Sequence, residues 1–269
     1  MTATIAREMA AGLVALALAA APARGSGATA PASQPAAGPA EMKILRDLEA
    51  AGEKHRTIRA EIDYRVDLRA LGDSEERTGW VAYRKGDAKQ PTTFRVTFET
   101  LKQGAGRRIK SQVDYAFDGQ WLTVAKHKIR NMTLYQLAAK GQRIEPLRIG
   151  KGPFPLPFGQ QARDVLEHFI PSTRPPRSSD PKNTTYLRLD ARPQRAKDAP
   201  AARLELWIDA KTHLPVKIRS RAKNKDVTTV TFKNIRTNED VSPSVFRIPR
   251  RLGWQVIRRP LKGTRGLTP

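Results

Sequence analysis

The alternation of apolar and polar residues from Leu204 to Phe232 is the strongest constraint on what this chain can fold into. Leu204, Leu206 and Ile208 fall on one side of an extended segment, with Glu205 and Asp209 on the other. After the turn residues Asp209-Ala210-Lys211-Thr212, Leu214, Val216 and Ile218 alternate with Lys217 and Arg219. A second polar connection, Lys223-Asn224-Lys225-Asp226, leads to Val230 and Phe232, which alternate with Thr229, Thr231 and Lys233. Successive side chains of a strand point to opposite faces. A period of two therefore predicts half-buried antiparallel strands, one face wet and one apolar. The polar connections read as hairpin turns, and the segment closes in an irregular ending up to Val256.

The same period recurs upstream. Ile62, Tyr64, Val66 and Leu68 oppose Glu61, Asp63, Arg65 and Asp67, the clearest single strand in the chain. Further strands are predicted over Thr78–Arg84, around Phe94, Val96 and Phe98, over Arg108–Phe117, over Trp121–Ala125, over Lys128–Leu137 and around Tyr186 to Leu189. Asp118-Gly119 is a strong hairpin signal. Short strands at close spacing with turn signals between them indicate a meander, sandwich or barrel. Two segments break the pattern. Glu41–Arg59 carries Met42, Ile44, Leu45, Leu48 and Ala51 at helical spacing, weakened by Gly52. Gly150–Pro171 joins the proline-rich run Gly152–Gly159 to a short predicted helix, Gln160–Ile170, with Val165, Leu166 and Phe169 on one face and Pro171 at its end. This apolar interruption reads either as a cap over something apolar or as a crossover packed permanently on the core.

Residues 1–23 read as a secretory signal, with an Ala- and Leu-rich run over Met9–Ala21 and a small-x-small site at Ala21-Pro22-Ala23. The run is short for a span of about 20 residues; an uncleaved anchor is the alternative. Residues 24–39 are a flexible Gly, Ala, Ser and Pro leader, 40–259 a single domain, and 260–269 a mobile tail. The chain lacks cysteine, which excludes disulfides, thiolate metal sites, thiol nucleophiles and a lipid-bearing cysteine. Its four histidines sit in separate segments without metal-ligand spacing, and no nucleophile elbow, phosphate loop or dinucleotide fingerprint is present. Asp63 and Asp67 share a wet strand face, where solvated carboxylates are the ordinary explanation. No metal, cofactor or catalysis is expected.

The net charge is +23, from 49 basic and 26 acidic residues, which draws a chain toward anions. Between Lys211 and Arg265 there are 15 basic residues against 3 acidic ones, alternating with apolar residues on strands. That describes a basic outer face, open to anionic headgroups or an acidic protein, or merely solvated. Nucleic acid is not expected: the aromatics share faces with Val, Ile and Leu instead of interleaving with the basic residues.

The order of signal, amphipathic helix, strands, apolar helical interruption and further strands resembles the LolA family of periplasmic outer-membrane lipoprotein carriers and sorting proteins. Ala60-Glu61-Ile62-Asp63-Tyr64 is similar to the family's first strand, and Tyr115-Ala116-Phe117-Asp118-Gly119-Gln120-Trp121-Leu122 to its strand–turn–strand hairpin. Leu206-Trp207-Ile208-Asp209 with Leu214-Pro215, then Phe232-Lys233-Asn234-Ile235, Asn238, Phe246 and Gly253-Trp254-Gln255-Val256, resembles its C-terminal motifs. The resemblance covers Glu41 to Ile257.

The resemblance implies a mainly β (α+β) fold: a curved, incomplete antiparallel β-barrel whose apolar concave face is covered by helices. It implies a periplasmic, non-catalytic and monomeric carrier that holds the acyl chains of lipoproteins, or another lipid. An inner-membrane release complex and an outer-membrane acceptor would be its partners. An RseB-like lipoprotein or lipid sensor, or a structural domain without a cavity, are the alternatives. Cavity candidates are Ile62, Tyr64, Val66, Trp80, Phe94, Val96, Phe98, Tyr115, Phe117, Leu206, Ile208, Val216, Val230 and Phe232. Lid candidates are Leu45, Leu48, Phe154, Phe158, Leu166 and Phe169. The family's lid-latching arginine is matched nearest by Arg84 or Arg95, although its R-P-N sequence is absent here.

Overall fold

Alternation predicts strands, and strands dominate the computed structural model, which describes residues 37–139, 141, 142, 144, 160–195, 199 and 201–261. The expected signal, most of the leader, the segment with Phe154 and Phe158, and the tail from residue 262 lie outside these residues. The elements run α1 (Pro39–Lys54), β1 (Thr57–Leu68), β2 (Asp73–Arg84), β3 (Thr93–Gln103), β4 (Ile109–Phe117), β5 (Trp121–Lys126), β6 (Asn131–Gln136), α2 (Ala162–His168), β7 (Phe169–Arg174), β8 (Thr184–Ala191), β9 (Arg203–Asp209), β10 (Pro215–Arg221), β11 (Val227–Thr237) and β12 (Gln255–Arg259). They form one twelve-stranded sheet in the order β12-β6-β5-β4-β3-β2-β1-β11-β10-β9-β8-β7. The sheet has two ends, at β12 and β7, so it is an incomplete barrel. The registered pairs are antiparallel except β12 with β6, which is parallel.

Contacts divide the chain into two compact units, one holding residues up to Gly52 with Pro146–Thr228, the other Glu53–Glu145 with the residues from Thr229 on. In the first, α1 begins with Pro39, whose missing N–H costs nothing at a helix start, and Glu41 in the first turn suits the helix dipole. Its buried Leu45 and Leu48 pack with Ala162 and Val165 of α2 on Phe169, Leu187, Leu189, Leu204, Leu206 and Ile208 of β7–β9. The helices also bond to each other and to the sheet: the Ala162 N–H donates to Glu49 Oε2 at 3.3 Å and the Thr173 N–H to Glu41 Oε1 at 3.2 Å. The opposite sheet face carries charged residues around two buried aromatics, Tyr186 and Trp207. There Asp180 accepts a two-pronged bond from Arg174 (2.7 and 2.9 Å), one from Trp207 Nε1 (2.7 Å) and one from the Arg177 N–H (2.8 Å). The Arg174 bond, ahead of the others, holds the Asp180 carboxyl far below its usual range.

The turns match their residues. Asp209 Oδ1 accepts the N–H groups of Lys211 (3.1 Å) and Thr212 (2.7 Å), closing the β9–β10 hairpin, and Asp118 Oδ1 does the same for Gln120 and Trp121 at β4–β5. Gly119 takes φ +106° there. Gly79 faces a bulge in β3, where Glu99 is the extra residue, and an added Cβ would lie 1.8 Å from the Thr97 carbonyl oxygen. Asn238 bridges the end of α1 and the start of β1, its Nδ2 donating to Lys54 O (3.3 Å) and its Oδ1 accepting from the Arg56 N–H (2.8 Å).

Several expectations are corrected. The first helix ends at Lys54, and β1 begins at Thr57, inside the span expected to be helical. Phe169 is not on the short helix; it opens β7, a strand running through Pro171 into the expected loop. Proline is tolerated because β7 is an end strand of the sheet, where a missing N–H leaves no neighbour unpaired. Lys128 and Ile129 lie in a 3₁₀ turn ahead of β6, with Ile129 exposed. The ending expected to be irregular contains β12.

Leu206→Ala removes a buried side chain facing α1 and α2 and should lower the unfolding free energy by about 2–5 kcal/mol. Leu71→Ala, at a residue 75% exposed, should change it by less than about 0.5 kcal/mol. Urea titration of both variants checks this; equal effects would mean the helix–sheet contact does not support the first unit.

Candidate functional site

In the second unit the register sorts the sheet into two faces. Antiparallel partners point the same way, and each pairing in turn carries the face across: Ile62 with Gly79, Val81 with Val96, Phe98 with Val113, Val96 with Tyr115, Phe94 with Phe117, and Phe117 with Leu122. Ile62, Tyr64, Val66, Phe94, Val96, Phe98, Tyr115 and Phe117 therefore share one face and are all buried. Their rings meet: Tyr64 and Phe98 at 5.4 Å between centroids, Phe98 and Tyr115 at 6.3 Å edge to face, Phe94 and Phe117 at 5.7 Å stacked. Phe232, on β11, is buried, while Val230 is half-buried.

Trp80 is not among them. It pairs with Glu61 on β1 and Thr97 on β3, which places it on the opposite face, packed near Ala82, Val241 and Phe246. Its neighbours Val81 and Tyr83 hold the apolar face instead. Val216 is also corrected: the β9–β10 register shifts between Pro215 and Lys217, so Val216 is the bulge residue, half-buried and outside the apolar cluster. Leu206 and Ile208 belong to the first unit's cluster, as do the lid candidates Leu45, Leu48, Phe169 and, partly buried, Leu166. The structure thus brings these six together between α1, α2 and strands β7 and β9, and brings the eight residues of β1, β3 and β4 together on the second unit's apolar face.

The second unit's other face is crossed by the C-terminal segment, and the two arginines expected as latches engage that segment. Arg84 stacks over the Phe246 ring at 5.1 Å. Arg95 donates from Nη1 to the carbonyl oxygens of Val245 (3.2 Å) and Arg247 (3.3 Å), and lies over the Trp80 ring at 5.2 Å. Positions 84 and 95 neighbour Tyr83 and Phe94, whose side chains occupy the apolar face, so the arginines must point the other way.

Arg95 is itself fixed by Asp114, a residue the alternation passed over as a polar gap between Val113 and Tyr115. Asp114 is fully buried. It accepts from Arg95 Nη2 (2.9 Å) and Nε (3.3 Å), Thr97 Oγ1 (2.5 Å), Gln112 Nε2 (3.1 Å) and His127 Nε2 (2.6 Å). Burial pushes its carboxyl upward, but the bonds from Thr97 and Arg95, the Arg95 charge and the His127 bond outweigh it and hold the group below the usual range. The His127 ring meets Trp254 edge-on at 4.9 Å. A pocket of about 630 Å³ opens here, lined by Trp80, Arg95, Gln112 and His127 among others, and one of about 710 Å³ is lined in part by Thr123, Leu134 and Phe246. The only sequence signal for this cluster was a charge in an otherwise apolar alternation. Asp63 and Asp67, which the sequence places on a wet strand face, form ion pairs with Lys233 (2.5 Å) and Arg65 (2.8 Å). Among the described residues no three His, Cys, Asp or Glu side chains converge as metal ligands, and no helix is long and apolar enough to cross a membrane.

No protein-family model matches the chain, and no curated protein matches its sequence. In structure it is similar to an uncharacterized conserved protein from Thermus thermophilus, at 13% identity and TM-score 0.45, over 82% of this chain and 99% of that one. It is similar also to a chain of the Pseudomonas aeruginosa MucA/MucB complex, at 13% identity and TM-score 0.42, over 78% of this chain and 61% of that one. A candidate outer membrane lipoprotein-sorting protein domain from Vibrio parahaemolyticus is similar at 10% identity and TM-score 0.36, over 77% of this chain and 96% of that one. At these values the likeness concerns the course of the chain and assigns it no function.

Asp114→Asn should cost about 3 kcal/mol at neutral pH, because it removes the countercharge of a nearly buried arginine. A depressed folded-state pKa stabilises above the unfolded value, near about 3.9, and the benefit is lost as pH falls through the folded value. The stability gap between wild type and variant should therefore be full at neutral pH and shrink in acid. Denaturant titrations across the acid range check this; a gap independent of pH would mean that the Asp114 charge contributes nothing.

Proposed function

We propose that this protein is a non-catalytic, exported carrier that holds the acyl chains of lipoproteins or a related lipid against the apolar face of β1, β3 and β4. The observation that supports this is the gathering of Ile62, Tyr64, Val66, Phe94, Val96, Phe98, Tyr115 and Phe117 on one face of a sheet that does not close into a barrel. An apolar face on an open sheet can exchange its covering for lipid chains, and each buried CH₂ contributes about 0.8 kcal/mol. A few acyl chains are thus enough for stable binding, and release requires a partner or a conformational change that weakens the grip. The resemblance in the sequence adds a periplasmic location, a donor at the inner membrane and an acceptor at the outer membrane. As a carrier, the protein works by equilibrium binding and needs no catalytic group.

A second reading has its own observation. Phe98 and Phe117 are 0% exposed and Phe94 and Val96 1%, which is the burial of a permanently filled core. On that reading the domain is structural or regulatory and binds no lipid.

Titration of the purified chain with a fluorescent fatty-acyl probe separates the two. The carrier reading expects saturable binding that Phe98→Ala alters, in affinity or in preferred chain length, and that Trp80→Ala on the opposite face leaves unchanged. A filled core expects no saturable binding by the wild type, and Phe98→Ala then appears only as a loss of about 3–5 kcal/mol in stability. Mass spectrometry of lipids and lipoproteins that co-purify with the protein identifies the cargo.

A further inference from the structure

The strand β12 ends the sheet, and its backbone and charges together describe a receptor for another chain. It runs parallel to β6, with Gln255 opposite Asn131 and Arg259 opposite Tyr135. The Gln255 N–H donates to the Arg130 carbonyl oxygen at 2.9 Å, and further on the Leu261 N–H points to Gln136 Oε1 at 3.4 Å. In a parallel ladder alternate residues turn their N–H and C=O groups to the same neighbour. Gln255, Ile257 and Arg259 therefore bond toward β6, while the N–H and C=O groups of Val256 and Arg258 face away from it. Among the described residues no strand pairs with that side.

Free edges invite pairing with other chains, and proteins blunt them with proline, bulges or charge. Here the five-residue strand holds neither proline nor bulge. The charge is of one sign: from residue 247 to 259 the sequence holds Arg247, Arg250, Arg251, Arg258 and Arg259 and no acidic residue. All five are exposed, and none forms an ion pair with an acidic group among the described residues. Beside them stand two large apolar side chains open to solvent, Leu252 at 104% exposure and Val256 at 38%.

We propose that the free edge of β12 takes an acidic, extended peptide segment of a partner protein as an added strand. Main-chain bonds to Val256 and Arg258 supply the pairing, carboxylates on the peptide meet the arginines, and an apolar residue covers Val256. An anionic membrane would use the same arginines but not the backbone edge, so backbone dependence distinguishes the two. The proposal is independent of lipid binding on the apolar face, and neither result decides the other.

The experiment titrates the full chain against a fluorescein-labelled ten-residue peptide of alternating Glu and Val, followed by anisotropy. Saturable binding that weakens steeply with salt is expected. Val256→Pro deletes one outward N–H, at a position where an edge strand tolerates proline, and should weaken binding at least tenfold with the circular dichroism spectrum unchanged. The double change Arg258→Glu and Arg259→Glu should weaken it at least as much. A peptide N-methylated along one edge tests the backbone without altering the protein, and it should bind at least tenfold more weakly. No saturable binding overturns the proposal. So does equal binding of the methylated peptide, which would mean that the arginines read charge alone, as on an anionic vesicle. A wild-type dimer in sedimentation that Val256→Pro dissolves would assign the edge to a second copy of this chain and likewise overturn it.

Discussion

A carboxylate shut off from water organises the second unit. Asp114 stands on the face of β4 opposite Tyr115, and four side chains donate to it. Such a charge is tolerable only when its lone pairs are filled, and here they are. The consequence runs outward. Because Asp114 holds Arg95, the Arg95 guanidinium is aimed at two carbonyl groups of the C-terminal segment; because that segment is held, Phe246 and Val241 close over Ala82. One face of the sheet is thus covered by the protein's own chain through a polar clamp, opposite the face that carries the aromatic residues.

Much of the sheet is legible in the sequence wherever only one face is apolar. Ile62, Tyr64 and Val66 alternate with Glu61, Asp63 and Arg65, and the register puts the first three on the aromatic face. The reading fails where both faces are covered. Trp80-Val81-Ala82-Tyr83 is continuously apolar, so periodicity cannot tell Trp80 from Val81, and only pairing with Glu61 and Thr97 does. Val216 fails for another reason: a bulge inserts one residue and shifts the phase, and nothing in Leu214-Pro215-Val216-Lys217 announces it. Pro171 signals a helix end in sequence but sits within an end strand. Gln255–Arg259 is too polar to alternate, and its partner strand lies far away in the chain.

The latch arginines illustrate how far a resemblance reaches. Position along the strand makes Arg84 and Arg95 the natural matches, yet parity decides what an arginine can touch. Each sits one residue from an aromatic that occupies the apolar face, so neither points there. Asp114 is the converse case. Sequence periodicity counts it as a polar position on a wet face, whereas the C-terminal segment makes that face an interior.

The same segment bears on how the molecule is built. The second unit is discontinuous in sequence: β1 to β6 come early, while most of β11, beside β1, and all of β12, beside β6, come from Thr229 on. Until residues 229–261 arrive, both margins of the six-strand block are bare and Asp114's arginine has no carbonyls to grip. A chain emerging N-terminus first would therefore present residues 53–228 before this unit could be finished. Contacts so distant in sequence are slow to form, which makes the interval before closure the period in which the chain most needs protection from its neighbours.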